Sequence, residues 1–429
     1  LSDIGNRPQL FPDKHSEVQA FKSYSSKEPW GFILKVGVCS PYLRMLTSKE
    51  KDWLKAIKNL PIEKILQDIL ANIHSSDLDN LVYNCKLARR RSFLITALFD
   101  LAGLLSLENV SSILTVMADS ILSVLTDKIF HEDFGYQLNA DIIHGKSSAK
   151  KPERIQRKWP KFFVVAMGKM GAFELNYSSD IDIIFFISSK SLPVQKQINE
   201  RGDYIRKAKK LVKILSSVTD NDFIYRTDLR LRPDPSSTPI VISTDFAQSY
   251  YQKLGRTWER MAFIKARPVA GEIFEAHKFL NSLESFIWRK HFDYAAIHDV
   301  KNLRVKMKLS SPSMNLQSLG GYNIKTGLGG IRDLELFTQT YQLIVGGRQR
   351  ELRGKKTVDS LRILAEMNWL NKDQSKILIQ GYIFLRNVEN RLQMVNNTQT
   401  QSLPIEDSLK FDELSFLLGF ENTEIFKNK

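Results

Sequence analysis

Only one stretch of this chain carries apolar residues in strand-like runs, and it lies between two long regions patterned as helices. KFFVVAM (Lys161 to Met167) and DIDIIFFI (Asp180 to Ile187) are short apolar runs rich in β-branched and aromatic residues. Runs of that length and content read as buried strands. FIYRTDLRLR (Phe223 to Arg232) alternates and stops at Pro233, which predicts a third strand, and PIVIS (Pro239 to Ser243) predicts a short fourth. Upstream, Ile62, Ile65, Leu66, Ile69 and Leu70 recur at helical spacing. SFLITALFDLAGLL and VSSILTVMADSILSVLTDKIF behave the same way, and residues 197 to 219 read as a further helix. From Thr244 the helical pattern returns and runs to the end, interrupted near residues 310 to 330. The expected fold is α+β but mostly α: a small mixed-sheet core flanked by helical regions.

At 429 residues the chain is too long for one core of ordinary size. Three regions are expected: a helical N-terminal region over 1–145, a core over 146–272 and a helical region over 273–429. The polar segment GKSSAKKPERIQRKWP (Gly145 to Pro160) reads as the linker into the core. The formal net charge of +15 favours an anionic partner. The basic residues are dispersed, however, in clusters such as Arg89-Arg90-Arg91, Lys207 to Lys213 and Arg353 to Lys356. No basic tail or RNA-binding module accompanies them, so no nucleic-acid partner is expected. With only Cys39 and Cys85, a disulfide framework and a cysteine metal site are excluded, and a reducing cytoplasm fits. The most apolar region, Ser92 to Leu125, is interrupted by Asp100, Glu108 and Asp119, so no membrane span is expected.

The chemistry concentrates in GKMGAFELNYSSDID, Gly168 to Asp182. Asp180 and Asp182 are two apart along a strand, so their carboxylates leave one face, roughly 6–7 Å apart along the backbone. Two carboxylates so placed can hold Mg²⁺, with phosphate oxygens completing the octahedron. Just upstream, the strand–GKMG–helix segment can present backbone N–H groups to a phosphate, with Lys169 adding charge. Asp228 offers a third acid on an alternating strand whose face also carries Arg226, Arg230 and Arg232. The three acids are expected to converge on one divalent-metal site, with Arg230 able to meet a polyphosphate.

Four ordered blocks then carry a resemblance: Gly168 to Asp182; YRTDLRLRP, Tyr225 to Pro233; GRTWERMAFIKARPVAG, Gly255 to Gly271; and GLGGIRD, Gly327 to Asp333. Together they closely resemble glutamine-synthetase adenylyltransferase, a family with two homologous nucleotidyltransferase halves on one chain. This sequence carries one metal motif, and its WERMAFIKARPVAG and GGIRDLELFTQ blocks resemble the N-terminal, adenylyl-removing half. The resemblance implies a nucleotidyltransferase core at 146–272 and a Mg²⁺-dependent phosphorolysis. AMP would leave a tyrosine of adenylylated glutamine synthetase for orthophosphate, releasing ADP; the partner half would add AMP from ATP. It also implies control by a PII-type regulatory protein. Transferred by position, Asp180, Asp182 and Asp228 would bind metal, and Gly168 and Lys169 would form the phosphate turn. No Ser, Cys or His nucleophile is required, and none of the seven histidines lies in these blocks.

Further candidates lie outside that core motif. Glu259, Arg260, Lys265 and Arg267 fall on an expected helix; Arg260 and Lys265 could reach phosphates or form surface ion pairs. Gly329-Gly330-Ile331-Arg332 could make a helix N-terminus facing an anion, with Arg332 and Glu335 at the nucleotide site. Trp258 and Trp288 read as packing residues. Two other functions fit the same acids: adenylylation in the opposite direction, and a catalytically silent docking module.

Overall fold

The computed structural model of the chain describes residues 36–130, 162–188, 194–218, 222–289, 298–299, 305, 319–406 and 408–429. The linker expected at Gly145 to Pro160 falls outside them. The N-terminal helices include α1 (Pro41–Lys49), α2 (Ile62–Ala71), α3 (Leu78–Leu101) and α4 (Leu107–Phe130). Next come β1 (Phe162–Ala166), α5 (Gly168–Gly171), β2 (Ile181–Ile187), α6 (Val194–Ser216), β3 (Thr227–Asp228) and β4 (Val241–Ser243). They are followed by α7 (Thr244–Lys253), α8 (Thr257–Ile264), β5 (Arg267–Gly271) and α9 (Ile273–Ser282). The C-terminal helices are α10 (Ile331–Val345), α11 (Thr357–Glu366), α12 (Lys372–Asn396), α13 (Leu409–Leu417) and α14 (Thr423–Lys427). The fold is α+β and mostly helical, around one small mixed sheet.

The five strands run in the order β3-β2-β1-β5, with β4 also on β2. β1 is antiparallel to both β2 and β5. β3 and β4 are both parallel to β2, β3 at its start and β4 at its end. They behave as two halves of one interrupted neighbour.

The apolar runs of β1 and β2 follow from burial on both faces. Phe162, Val164, Ile183, Phe185 and Ile187 join one core cluster with Leu94 and Leu98 of α3, Leu122 and Leu125 of α4 and Leu211 of α6. Their alternates Phe163, Val165, Ile184 and Phe186 join another with Tyr251 of α7, Phe263 of α8 and Phe279 of α9. Phe130 stacks on Phe162 with ring centroids 3.8 Å apart, so α4 sits directly on the first face. The first cluster reaches Met394 of α12, and Ser40 donates to the Met394 carbonyl at 2.8 Å. The helices on either side of the sheet in sequence therefore share its core.

Three expectations are corrected. The strand expected over Phe223 to Arg232 shrinks to Thr227–Asp228. Asp228 accepts the N–H of Arg230 at 2.8 Å, and Arg232 donates to the carbonyls of Leu229 and Pro235, so the chain turns where the alternation predicted extension. The helix expected to follow GKMG is instead a single turn made by GKMG itself, Gly168–Gly171. The continuous helical pattern after Thr244 is broken by β5, which holds Pro268. β5 stands at the sheet edge, and its pairing with β1 shifts register at Val164/Val165. An edge with an irregularity is where a sheet tolerates proline.

Candidate active site

β1 delivers the chain into the tight turn at Gly168, and β2 begins at Ile181, antiparallel beside it. Met167 donates its N–H to the Asp182 carbonyl at 2.8 Å, which ties the turn to the acidic end of β2. Gly168 has φ +52°, and a Cβ there would lie 2.4 Å from Asp182 Oδ2. Only glycine lets the turn approach that carboxylate. Gly171 is needed for a different reason: its Cβ would fall 1.9 Å from the Lys265 carbonyl.

Asp182 is paired in register with Asp228 across the parallel β2–β3 ladder. Paired residues share a face, with strands about 4.8 Å apart. Burial first, then the neighbouring Asp228 and Asp180 carboxylates, push Asp182 up to about 6, against opposing pulls from Lys325 and Lys169. Asp228 goes the other way because Arg230 bonds to it: Nε lies 3.0 and 2.9 Å from its two oxygens. The Arg230 side chain is itself 84% exposed. Asp180 is held by Arg226 Nε at 2.8 Å. The acids thus occupy one corner of the sheet, but two of them are turned to arginines. Among the described residues, no three His, Cys, Asp or Glu side chains converge as they stand closely enough to hold a metal.

The sequence placed Lys169 at a phosphate, Lys265 at a phosphate or a surface ion pair, and Glu335 at the nucleotide site; the structure gathers them into a buried ionic cluster behind the turn. Lys169 lies 2.9 Å from Glu389 of α12, and Arg386 is 3.3 Å from the same carboxylate. Lys265 donates to Glu174 at 2.8 Å and reaches Glu335 at 3.4 Å and Thr357 Oγ1 at 3.5 Å. Burial lowers Lys169 to about 8 although Glu389 opposes it. For Lys265 burial also lowers, but Glu174 and Glu335 win and raise it. Burial would raise Glu335, yet Lys265, Lys169, Arg386 and Lys325 hold it down at about 2.

A depressed carboxylate contributes stability that is complete above its unfolded value, about 4.3, and is lost as pH falls through the folded one. For Glu335 that window is about pH 4.3 down to about 2. Urea unfolding at successive pH values should show a loss of roughly 3 kcal/mol across it. Glu335→Gln should flatten that acid limb; an identical limb in the variant would remove Glu335 from the account.

Other expected contacts land elsewhere. Arg260 is 1% exposed and donates to the Ile287 carbonyl, so a phosphate cannot reach it without repacking. Arg267 leaves the expected helix for β5, where it pairs with Asp119 at 2.8 Å. The N-terminus of α10 is not free for an anion: Ile331 N–H donates to Ile324 O, Arg332 N–H to Lys325 O, and Gly329 N–H to Asp333 Oδ2. The Arg332 side chain is half-buried. The residue that sequence reasoning missed is Lys325, in NIKTGLGG. It is half-buried, near enough to Asp182, Lys169, Glu335 and Glu389 to shift all four. Its place just ahead of the glycine turn was the available signal.

Comparison with known proteins agrees with this architecture. The family model described as glutamate-ammonia ligase adenylyltransferase matches residues 39–282. A second, described as GlnD PII-uridylyltransferase, matches residues 304–428. The bifunctional glutamine synthetase adenylyltransferase/adenylyl-removing enzyme of Agrobacterium fabrum is 36% identical over 93% of this chain and 40% of its own length. The protein of the same name from Rhizobium meliloti is 38% identical over 80% of this chain and 34% of its own. This chain therefore spans about two fifths of the length of such relatives. No helix among the described residues is long and apolar enough to cross a membrane. The chain belongs to the glutamate-ammonia ligase adenylyltransferase family.

Proposed function

We propose that this chain removes AMP from an adenylylated tyrosine of glutamine synthetase by phosphorolysis, releasing ADP. The observation that carries the reading is the acidic corner of the sheet, Asp182 beside Asp228 with Asp180 next to it, closed by a glycine whose Cβ would occupy the carboxylate's space. The relatives' names include both adenylyltransferase and adenylyl-removing activities. The WERMAFIKARPVAG and GGIRDLELFTQ blocks favour removal.

An all-carboxylate donor set of hard oxygens suits Mg²⁺. Asp180, Asp182 and Asp228 would hold it, Asp228 once Arg230 yields its bonds to that acid and Asp180 through the oxygen that Arg226 does not bond. A bound Mg²⁺ supplies charge neutralisation for the entering and leaving oxygens. The remaining work belongs to the chain. Arg230, largely exposed, can exchange Asp228 for a substrate phosphate. Lys325, near enough to Asp182 to oppose its upward shift, presents a cation beside the acids, suited to orthophosphate. An oxygen of orthophosphate forms the new bond to the AMP phosphorus, and the bond to the tyrosine oxygen breaks. No side chain needs to act as a covalent nucleophile. The segment similar to PII-uridylyltransferase supports a PII-type protein as the regulator.

The direction is tested by offering the chain ATP with unmodified glutamine synthetase, and phosphate with the adenylylated form. ADP release in the second mixture alone is expected; AMP incorporation in the first alone overturns the reading. Lys325→Ala should raise KM for phosphate about tenfold or more, a charge-assisted contact being worth about 1.5–3 kcal/mol. Steady-state rates across phosphate concentrations give that number, and an unchanged KM would remove Lys325 from the phosphate site.

A further inference from the structure

The loop from Glu174 to Ser179 connects the glycine turn to the acids, and α12, two hundred residues away in sequence, grips it from behind. Arg386, Glu389 and Gln393 are spaced three and four apart, so they leave one face of α12. All three are buried. Arg386 Nη2 donates to the Glu174 carbonyl at 2.6 Å and also to Asn176 Oδ1. Glu389 accepts from Lys169 at 2.9 Å. Gln393 Oε1 accepts the Ser178 N–H at 2.8 Å.

The chain of bonds continues to the site. The Ser178 carbonyl and hydroxyl oxygens accept from Arg226 Nη2 at 2.6 and 2.9 Å. Nε of the same guanidinium donates to Asp180 at 2.8 Å. A guanidinium is planar and rigid, so fixing its Nη2 on Ser178 also fixes the direction in which its Nε meets Asp180. Partners placed this way set the orientation of a ligating carboxylate.

We propose that Gln393, with Arg386 and Glu389, is a positioning residue of α12: it locks Ser178, Ser178 locks Arg226, and Arg226 sets the Asp180 carboxylate for the ion. The path links the two segments matched by different family models, since α12 lies in residues 304–428 and Asp180 in residues 39–282. A change in α12 is thereby felt at the acids. This inference rests on Asp180 as an ion ligand, and not on the direction of the reaction.

The test is Mn²⁺ affinity of the purified chain, read from the electron paramagnetic resonance of free Mn²⁺. Gln393→Met keeps the volume and loses the acceptor; Arg226→Lys keeps the charge and cannot hold Ser178 and Asp180 together. Each is expected to weaken Mn²⁺ binding at least tenfold, and the double variant no further than the weaker single, because both cut one path. Gln393→Glu, which keeps an oxygen at that reach, should restore binding to within threefold of wild type. Gln342→Met is the control: its amide bonds Leu352, Gly354 and Ser360 in the α10–α11 contact, so it should lower Tm without moving Mn²⁺ affinity. If Gln393→Met does not fold, Arg226→Lys and its Mn²⁺ affinity decide alone. Unchanged affinity in the folded variants, additive losses in the double, or no Mn²⁺ binding by the wild type would overturn the proposal. Failure to release ADP, with these affinities as expected, would overturn only the phosphorolytic reading.

Discussion

Asp182→Asn is expected to lower turnover about a thousandfold or more, on the order of 4 kcal/mol of transition-state stabilisation. An amide is a poorer ligand for a hard divalent ion than a carboxylate. The fold should survive. Asp182 sits at the start of β2, bonded to the turn through its backbone carbonyl rather than its side chain. Its carboxylate is pressed against burial and two neighbouring acids, so removing that charge relieves repulsion in the ion-free protein. The expected signature is therefore a dead enzyme with an unchanged or raised Tm. Turnover within tenfold of wild type, at saturating Mg²⁺, would exclude Asp182 from the reacting centre.

Lys265→Ala should be the most damaging single change to stability. The ammonium is buried between Glu174 and Glu335, and Glu174 in turn accepts the Thr357 N–H at 2.8 Å. Removing one partner of a buried pair leaves uncompensated charge and costs about 3–5 kcal/mol. The loss should appear as a drop in the urea midpoint. Lys265→Met with Glu174→Gln together should recover part of it, since two neutral groups replace an orphaned carboxylate. A stability loss below about 1 kcal/mol in the single variant would show that solvent already screens the cluster.

The sheet was legible because β1 and β2 are buried on both faces, and such strands write continuous apolar runs. β3 was overread: alternation in FIYRTDLRLR is real, but Asp228 and Arg232 spend their side chains on a turn. β5 was missed because RPVAG is short and holds proline, a pattern that edge pairing alone permits. The acids were found from spacing, and Asp182 opposite Asp228 follows from register. Lys169, Lys265 and Glu335 were singled out as charged residues in glycine-bearing blocks. Their burial in one ionic cluster depends on α12, whose contribution is invisible in local sequence. Lys325 was overlooked because it falls just outside the GLGGIRD block, and only its place ahead of that glycine turn marked it.

The most direct test of the central claim is to follow labelled orthophosphate through a single turnover with adenylylated glutamine synthetase and Mg²⁺. Phosphorolysis places the label in the β-phosphoryl group of ADP, in amounts that match the tyrosine freed, at a rate that rises with phosphate. Unlabelled AMP released at a rate indifferent to phosphate would make the site hydrolytic and contradict the account.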